Sequence, residues 1–208
     1  MKLLRPCFVM TLALLVLCCL VYPGMVTAFA QVLFRAQANG SLVERDGKVL
    51  GSTLIGQSVA DWAAHREYVW GRPSAASNDA STNITYSSGS NYGPMNAALL
   101  DEVKARVALL RDSGVNGPIP ADLVTKSASG LDPHVSPAAA EIQVPRIAST
   151  RKVAESKVRE LIANHTEHSS LGFLGEPRVN VLLVNLDLDS QAPYTAPAKP
   201  APSAAPAK

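Results

Sequence analysis

Asp132, His134 and Ser136 alternate within the run Asp132-Pro133-His134-Val135-Ser136. An acid, an imidazole and a hydroxyl are the groups of a serine-hydrolase relay. In an extended segment, alternate side chains share one face. They then project in parallel, whereas a relay needs hydrogen bonds that converge on one reacting carbon. No G-x-S-x-G elbow accompanies them. No catalytic residue is assigned, and a Ser/His/Asp hydrolase stands as one alternative reading. His165 and His168 with Glu167 suggest a metal site, but H-x-x-H without a third ligand at a fixed spacing is better read as a solvated helix end. Phosphate-cradling G-x-x-x-x-G-K-[ST] and G-x-G-x-x-G loops are absent. Asn39, Asn83 and Asn164 begin N-x-[ST] matches, which carry meaning only in a host that glycosylates secreted chains.

Residues 127–147 must position the first of these sets. A polar, glycine-punctuated loop leads into Ser136, a good N-cap, and Pro137, a good first helical residue. Ala138 to Ala140 favour helix, and Pro145 forces a kink or a restart because it lacks an N–H and clashes one turn back. Pro133 and Pro137 stiffen the backbone on either side of His134.

Elsewhere the pattern predicts a mixed helix and sheet domain. Residues 40–52 read as a β-hairpin around Asp46-Gly47, a type I′ dipeptide, with Val43 facing Leu50 and Glu44 facing Val49. Residues 54–57 extend a strand. Trp62 and Trp70 form a local aromatic cluster or a docking patch. Residues 75–92 are loop. Residues 96–112 are the clearest helix, capped by Asn96, with Leu99, Val103, Val107 and Leu110 on one stripe. Lys104, Arg106 and Arg111 lie off that stripe and predict a solvated face. Leu123-Val124 is a short strand candidate, residues 155–165 a helix, and residues 179–188 a half-buried strand by strict alternation.

Ahead of this domain, residues 6–34 run for 29 residues without a charge. About 20 helical residues cross a hydrocarbon core. Lys2 and Arg5 precede the run, so the positive-inside rule keeps residues 1–6 cytoplasmic, residues 7–34 in the membrane and the bulk outside. A cleaved signal peptide ending at Val26-Thr27-Ala28 is the rival, and with it a secreted or lipidated periplasmic binding module. Residues 190–208, mostly Ala, Pro and Lys, cannot build a core and predict a disordered tail. The fold class is therefore α+β: one N-terminal transmembrane helix, then a single extracytoplasmic domain over residues 35–189.

Composition excludes several functions. The net charge of +2 is supplied by Lys2 and Arg5, and the chain from Arg35 onward balances 17 basic against 17 acidic residues. A nucleic-acid binder would need a basic face. All three cysteines (Cys7, Cys18 and Cys19) lie in the apolar segment, so the domain needs no disulfide and offers no thiolate chemistry.

Several runs together resemble one family. They are Val21-Tyr22-Pro23, Gln37-Ala38-Asn39-Gly40-Ser41-Leu42, Gly71-Arg72-Pro73-Ser74-Ala75, Asp122-Leu123-Val124-Thr125, all of residues 127–148, His165-Thr166-Glu167, and Leu174-Gly175-Glu176-Pro177-Arg178-Val179-Asn180-Val181. In order and spacing the chain is similar to the C subunit of the Kdp high-affinity potassium-transporting P-type ATPase, the KdpC family. The resemblance implies a non-catalytic subunit of the bacterial inner membrane. Its partners would be a potassium-channel-like A subunit, an ATP-hydrolysing B subunit, a small F subunit and membrane lipid. It also implies a catalytic chaperone that raises the ATP affinity of the hydrolysing subunit. ATP would be met indirectly or shared with that subunit, through a serine- and glycine-rich stretch, here Ser87-Ser88-Gly89-Ser90, and through Gln143. No metal of its own is implied. The chain departs from the family at Ser88, where glycine is usual, and at Ala154, where a serine usually caps the late helix. It carries no Asp-Lys-Thr-Gly-Thr phosphorylation motif and no potassium filter.

Overall fold

A computed structural model describes residues 3–57, 62–76 and 86–194. The chain divides into two compact units, Met1–Leu54 and Ile55–Lys208.

The first unit begins with a helix long and apolar enough to cross a membrane, Leu4–Leu33, with a mean hydropathy of 2.4. It is built from α1 (Leu4–Val16), a π-helical turn (Leu17–Val21) and α2 (Tyr22–Leu33). Pro23 explains the π turn. It has no N–H for the fourth carbonyl back, and the wider turn, closed by Tyr22 N–H on Leu17 O, absorbs the mismatch without breaking the rod. After Phe34 come a short helix, α3 (Arg35–Ala38), and the hairpin of β1 (Leu42–Arg45) and β2 (Lys48–Ser52). Asp46 and Gly47 have φ of 53° and 74°, as a type I′ turn requires. The predicted register holds at Glu44↔Val49 and Arg45↔Lys48, then shifts, so that Val43 faces Gly51 and not Leu50. A bulge of this kind inserts one unpaired residue on β2.

In the second unit, α4 (Ala97–Asp112) is capped by Asn96, whose side chain accepts from Ala98 N at 2.9 Å. Residues 127–147 fold as predicted: α5 (Pro137–Glu141), a break at Ile142 and Gln143, then α6 (Val144–Arg151) with Pro145 in its first turn. α7 (Glu155–Asn164) buries Val158, Leu161 and Ile162, and Ala154 gives it no side-chain cap. β3 (His134–Val135), β4 (Thr166–Glu167) and β5 (Arg178–Asn180) form an antiparallel sheet in the order β3-β5-β4. The core joins Trp70, Leu110, Leu123, Ile147, Leu161 and Leu188.

Four expectations are corrected. The strand predicted over residues 179–188 stops at Asn180, whose side chain accepts from Leu183 N at 3.2 Å and starts α8 (Val181–Gln191). Val181, Val184, Asn185 and Leu188 are buried at i, i+3, i+4 and i+7, a helical stripe hidden beneath the alternation. Leu123-Val124 is no strand, because Pro120 precedes a 3₁₀ turn, Ala121–Leu123, that turns Leu123 inward. Residues 54–57 pair with no strand; Gly56 N instead donates to Leu131 O at 2.8 Å. Ser190 and Gln191, assigned to the predicted tail, belong to α8, and Ala192 is 3% exposed. Residues 195–208, part of the predicted loop (77–85) and Asn83 lie outside the described residues.

Gly130 shows how tightly loop 127–131 is packed. Its φ is +69°, and a Cβ there would lie 2.6 Å from both the Ala76 Cβ and the Ser88 carbonyl oxygen. Only glycine fits that conformation in that space.

Candidate functional site

The segment Arg66 to Trp70 crosses the interior without joining a sheet, so each of its buried backbone groups needs another partner. Side chains from α6, α8 and the break before α6 supply them. Asn185 clamps Val69, accepting from its N–H at 2.8 Å and donating to its carbonyl at 3.1 Å. Gln143 does the same for Trp70, at 2.8 and 3.2 Å. Arg146 donates to the Arg66 carbonyl, and to that of Tyr68 at 3.0 Å. Arg151 donates from Nε to the Glu67 carbonyl at 2.7 Å. Every carbonyl from Arg66 to Trp70 is thus held by a side chain.

Gln143 is central and 0% exposed. Its Nε2 also donates to Ala139 O at 2.9 Å, and its Oε1 also accepts from Arg146 Nη2 at 2.7 Å. Two donor and two acceptor positions are thereby filled from within the chain. The kink caused by Pro145 puts it there: in the break between α5 and α6 the side chain points across to Trp70.

Three arginines surround this strap. Arg146 lies with its guanidinium carbon 4.1 Å from the Trp70 ring centroid, a close cation–π contact. Burial pushes its pKa down to about 9, with neighbouring Arg66 adding to the effect, and it keeps its proton at neutral pH. Arg106 corrects the expectation of a solvated face on α4. Its guanidinium sits 5.7 Å from the centroids of both Trp62 and Trp70, its Nε donates to Leu123 O at 3.2 Å, and burial pushes its pKa down to about 10. The two tryptophans, 6.0 Å apart, are a packed cluster and not an exposed patch. Arg151 binds the end of α8, with Nη1 donating to Leu188 O at 2.9 Å and Ala192 O at 2.7 Å, and Nη2 to Asp189 at 2.8 Å. A cation at a helix C-terminus satisfies orphan carbonyls and complements the dipole. Asp189 also accepts from the Tyr68 hydroxyl at 3.0 Å; burial, and then Asp189, raises the pKa of that phenol.

Asp132, His134 and Ser136 are not brought into a relay. Asp132 accepts from Arg72 Nη1 at 3.0 Å and from His134 N at 3.0 Å. The His134 ring is 3.8 Å from Asp132, beyond hydrogen-bond reach. The Ser136 hydroxyl accepts from Ala139 N at 3.1 Å as the cap of α5, while its own N–H donates to Asp122 at 2.7 Å. Ser136→Ala should therefore lower unfolding free energy by about 1 kcal/mol, the usual cost of a lost cap, as read by denaturant titration.

Burial lowers the His134 pKa from its ordinary 6.5; Arg178 adds to this, and Glu167 and Asp132 oppose it. The unfolded chain then binds the proton more readily than the folded one. Stability is complete above about pH 6.5 and declines as pH falls toward the lowered folded value. Thermal unfolding should shift down between about pH 7.5 and 5.5, and His134→Gln should remove part of that shift.

The second histidine set also disperses. His165 Nε2 lies 2.8 Å from Asp187, tying the end of α7 to α8. Glu167 pairs with Arg178 at 2.6 Å, and His168 is exposed. Among the described residues no three His, Cys, Asp or Glu side chains gather as a metal ion would need. The serine- and glycine-rich stretch lies along loop 127–131: Ser87 Oγ and Ser88 N donate to Ser129 O at 2.8 and 2.9 Å. A Cβ on Gly89 would lie 2.7 Å from Ala128 O. The hydrogen-bond partners of this stretch and those of Gln143 do not overlap.

Arg146, Arg151 and Asn185 were not singled out in the sequence. Two of them carried a signal. Arg146 falls one turn after Gln143, and Asn185 interrupts an otherwise apolar helical stripe.

Comparison with known proteins identifies the family. The family profile of KdpC, described as "K+-transporting ATPase, c chain", matches residues 4–190. The chain is 50% identical over 191 residues to the potassium-transporting ATPase KdpC subunit of Burkholderia mallei (strain SAVP1), covering 91% of this chain and 96% of that one. It is 52% identical over 191 residues to the KdpC subunit of Gemmatimonas aurantiaca, covering 91% and 94%. The match takes in the apolar helix, the strap and the side chains that hold it. The chain belongs to the KdpC family, the c chains of K+-transporting ATPases.

Proposed function

We propose that this chain is a non-catalytic accessory subunit of a Kdp potassium-import complex, needed for its assembly. In this reading Leu4–Leu33 crosses the inner membrane with Lys2 and Arg5 on the cytoplasmic side, and the second unit lies outside. The A, B and F subunits are its partners. The KdpC match over residues 4–190 carries the reading. Two features support the non-catalytic part: the sequence holds no phosphorylation motif, and Asp132, Ser136 and His165 are each engaged in holding the fold. ATP is bound by the hydrolysing subunit, and Gln143 influences it only through the integrity of the domain. The filled hydrogen-bonding positions of that amide favour this over direct contact.

Affinity purification of the full chain from detergent-solubilised membranes should recover a P-type ATPase and its channel-like partner together. Recovery of the chain alone would sink the proposal. Mass analysis of the recovered chain should retain residues 1–28; a mature N-terminus at Phe29 would replace it with the secreted binding module.

A further inference from the structure

Arg35 opens α3 two residues beyond the apolar helix. With Ala36, Asn39, Leu42 and Glu44 it lines a cavity of about 440 Å³. The elbow around this cavity is tied at four points. Asn39 Nδ2 donates to Arg35 O at 2.6 Å and to Gln31 Oε1 at 3.1 Å. Ser41 N donates to Ala36 O at 2.9 Å, and Ser52 Oγ to Gly40 O at 2.6 Å. The hairpin is thereby anchored to the end of the helix, with Arg35 and Glu44 on the same cavity. Among the described residues, neither the Arg35 guanidinium nor the Glu44 carboxylate is engaged by another side chain. A cation and an anion share one recess, and neither neutralises the other.

The length of the helix sets the depth of this recess. The 30 residues of Leu4–Leu33 rise about 45 Å, and a bilayer with both headgroup layers is about 40–45 Å thick. Arg5 then stands in one headgroup layer and Arg35 in the other. A ligand that lies at that depth and offers a phosphate anion and an ammonium cation a few bonds apart is a phospholipid headgroup. The guanidinium takes phosphate oxygens, and the carboxylate takes ammonium N–H groups.

We propose that Arg35 and Glu44 form a headgroup site for a zwitterionic aminophospholipid, of which phosphatidylethanolamine is the simplest. Phosphatidylglycerol supplies no cation for Glu44, and the quaternary amine of phosphatidylcholine has no N–H to donate. The site rests on the reading that Leu4–Leu33 crosses the membrane. An occupied site fixes the depth at which the helix exits.

The test is native mass spectrometry of the full chain ejected from phosphatidylcholine nanodiscs doped equally with phosphatidylethanolamine and phosphatidylglycerol. The wild type should retain phosphatidylethanolamine about fivefold over either other lipid. Glu44→Gln should abolish the preference over phosphatidylcholine, and Arg35→Gln should lower retention of all three lipids. Both residues are exposed and, among the described residues, engage no other side chain, and far-ultraviolet circular dichroism checks the fold of each variant. Equal retention of the three lipids by the wild type, or a preference that survives Glu44→Gln, overturns the site while incorporation into the disc leaves the membrane-spanning reading standing. A chain that fails to enter the disc overturns that reading and the site with it.

Discussion

Replacing Gln143 with leucine should destabilise the domain by about 4 kcal/mol. The substitution strands the Trp70 N–H, the Trp70 carbonyl and one Arg146 N–H in a dry interior, and each stranded group costs about 1–3 kcal/mol. The added apolar burial offsets roughly 1 kcal/mol of that. Gln143→Glu keeps the two acceptor contacts but turns a carboxylate oxygen toward the Trp70 and Ala139 carbonyls, so it should also destabilise, by about 2 kcal/mol. Denaturant unfolding followed by tryptophan emission reads both, because the transition opens the Trp62–Trp70 cluster. The same variants separate structure from nucleotide contact. At a temperature where Gln143→Leu remains folded, the ATP dependence of the assembled pump should equal that of the wild type. A variant of unchanged stability with weakened ATP dependence would falsify the structural role.

Arg151→Met is the second large effect, at about 3–5 kcal/mol, because it strands the carbonyls of Glu67, Leu188 and Ala192, each at a cost of about 1–3 kcal/mol. The loss is spread over two elements, α8 and the strap. The end of α8 loses donors on Leu188 and Ala192, the strap loses the hold on Glu67, and Asp189 keeps only the Tyr68 hydroxyl of the partners described here. Arg151→Lys should recover little, since one ammonium cannot span the arc that the planar fork covers. Hydrogen exchange localises the damage: amides in the last turn of α8 should exchange faster while those of α4 do not. Because Gln143 and Arg151 hold the same strap, the double variant should cost less than the two singles combined.

Much of this architecture was legible in residues with strong local preferences. Asp46-Gly47 fixed the hairpin turn, Asn96 and Ser136 marked helix starts, and Pro145 marked the restart. The misread places share a cause. Residues 179–188 alternate as a strand would and are also apolar at helical spacing; the cap at Asn180, a tertiary outcome, decided between them. Arg106 sat off an apolar stripe and was read as solvated, because nothing local announces that two tryptophans more than thirty residues upstream will cover it. Resemblance located Gln143 but could not give its partners, since bonds to residues 73 positions away carry no local pattern. The sets that looked chemical, Asp132 with His134 and Ser136, and His165 with His168, proved to be a turn, a cap and an inter-helix tie.

The strap has a consequence for timing. Residues 66–70 leave the ribosome early, yet the amide that clamps Val69 belongs to a residue 116 positions later. Chains grow from the N-terminus at about 5–20 residues per second, so the strap waits on the order of ten seconds for its last clamp. Contacts of such long range also close late in folding. Until α8 emerges, Val69 lacks its clamp and the core lacks Val181, Val184 and Leu188. If the first helix crosses the membrane as proposed, the domain behind it stays passable through a narrow channel until α8 has been made.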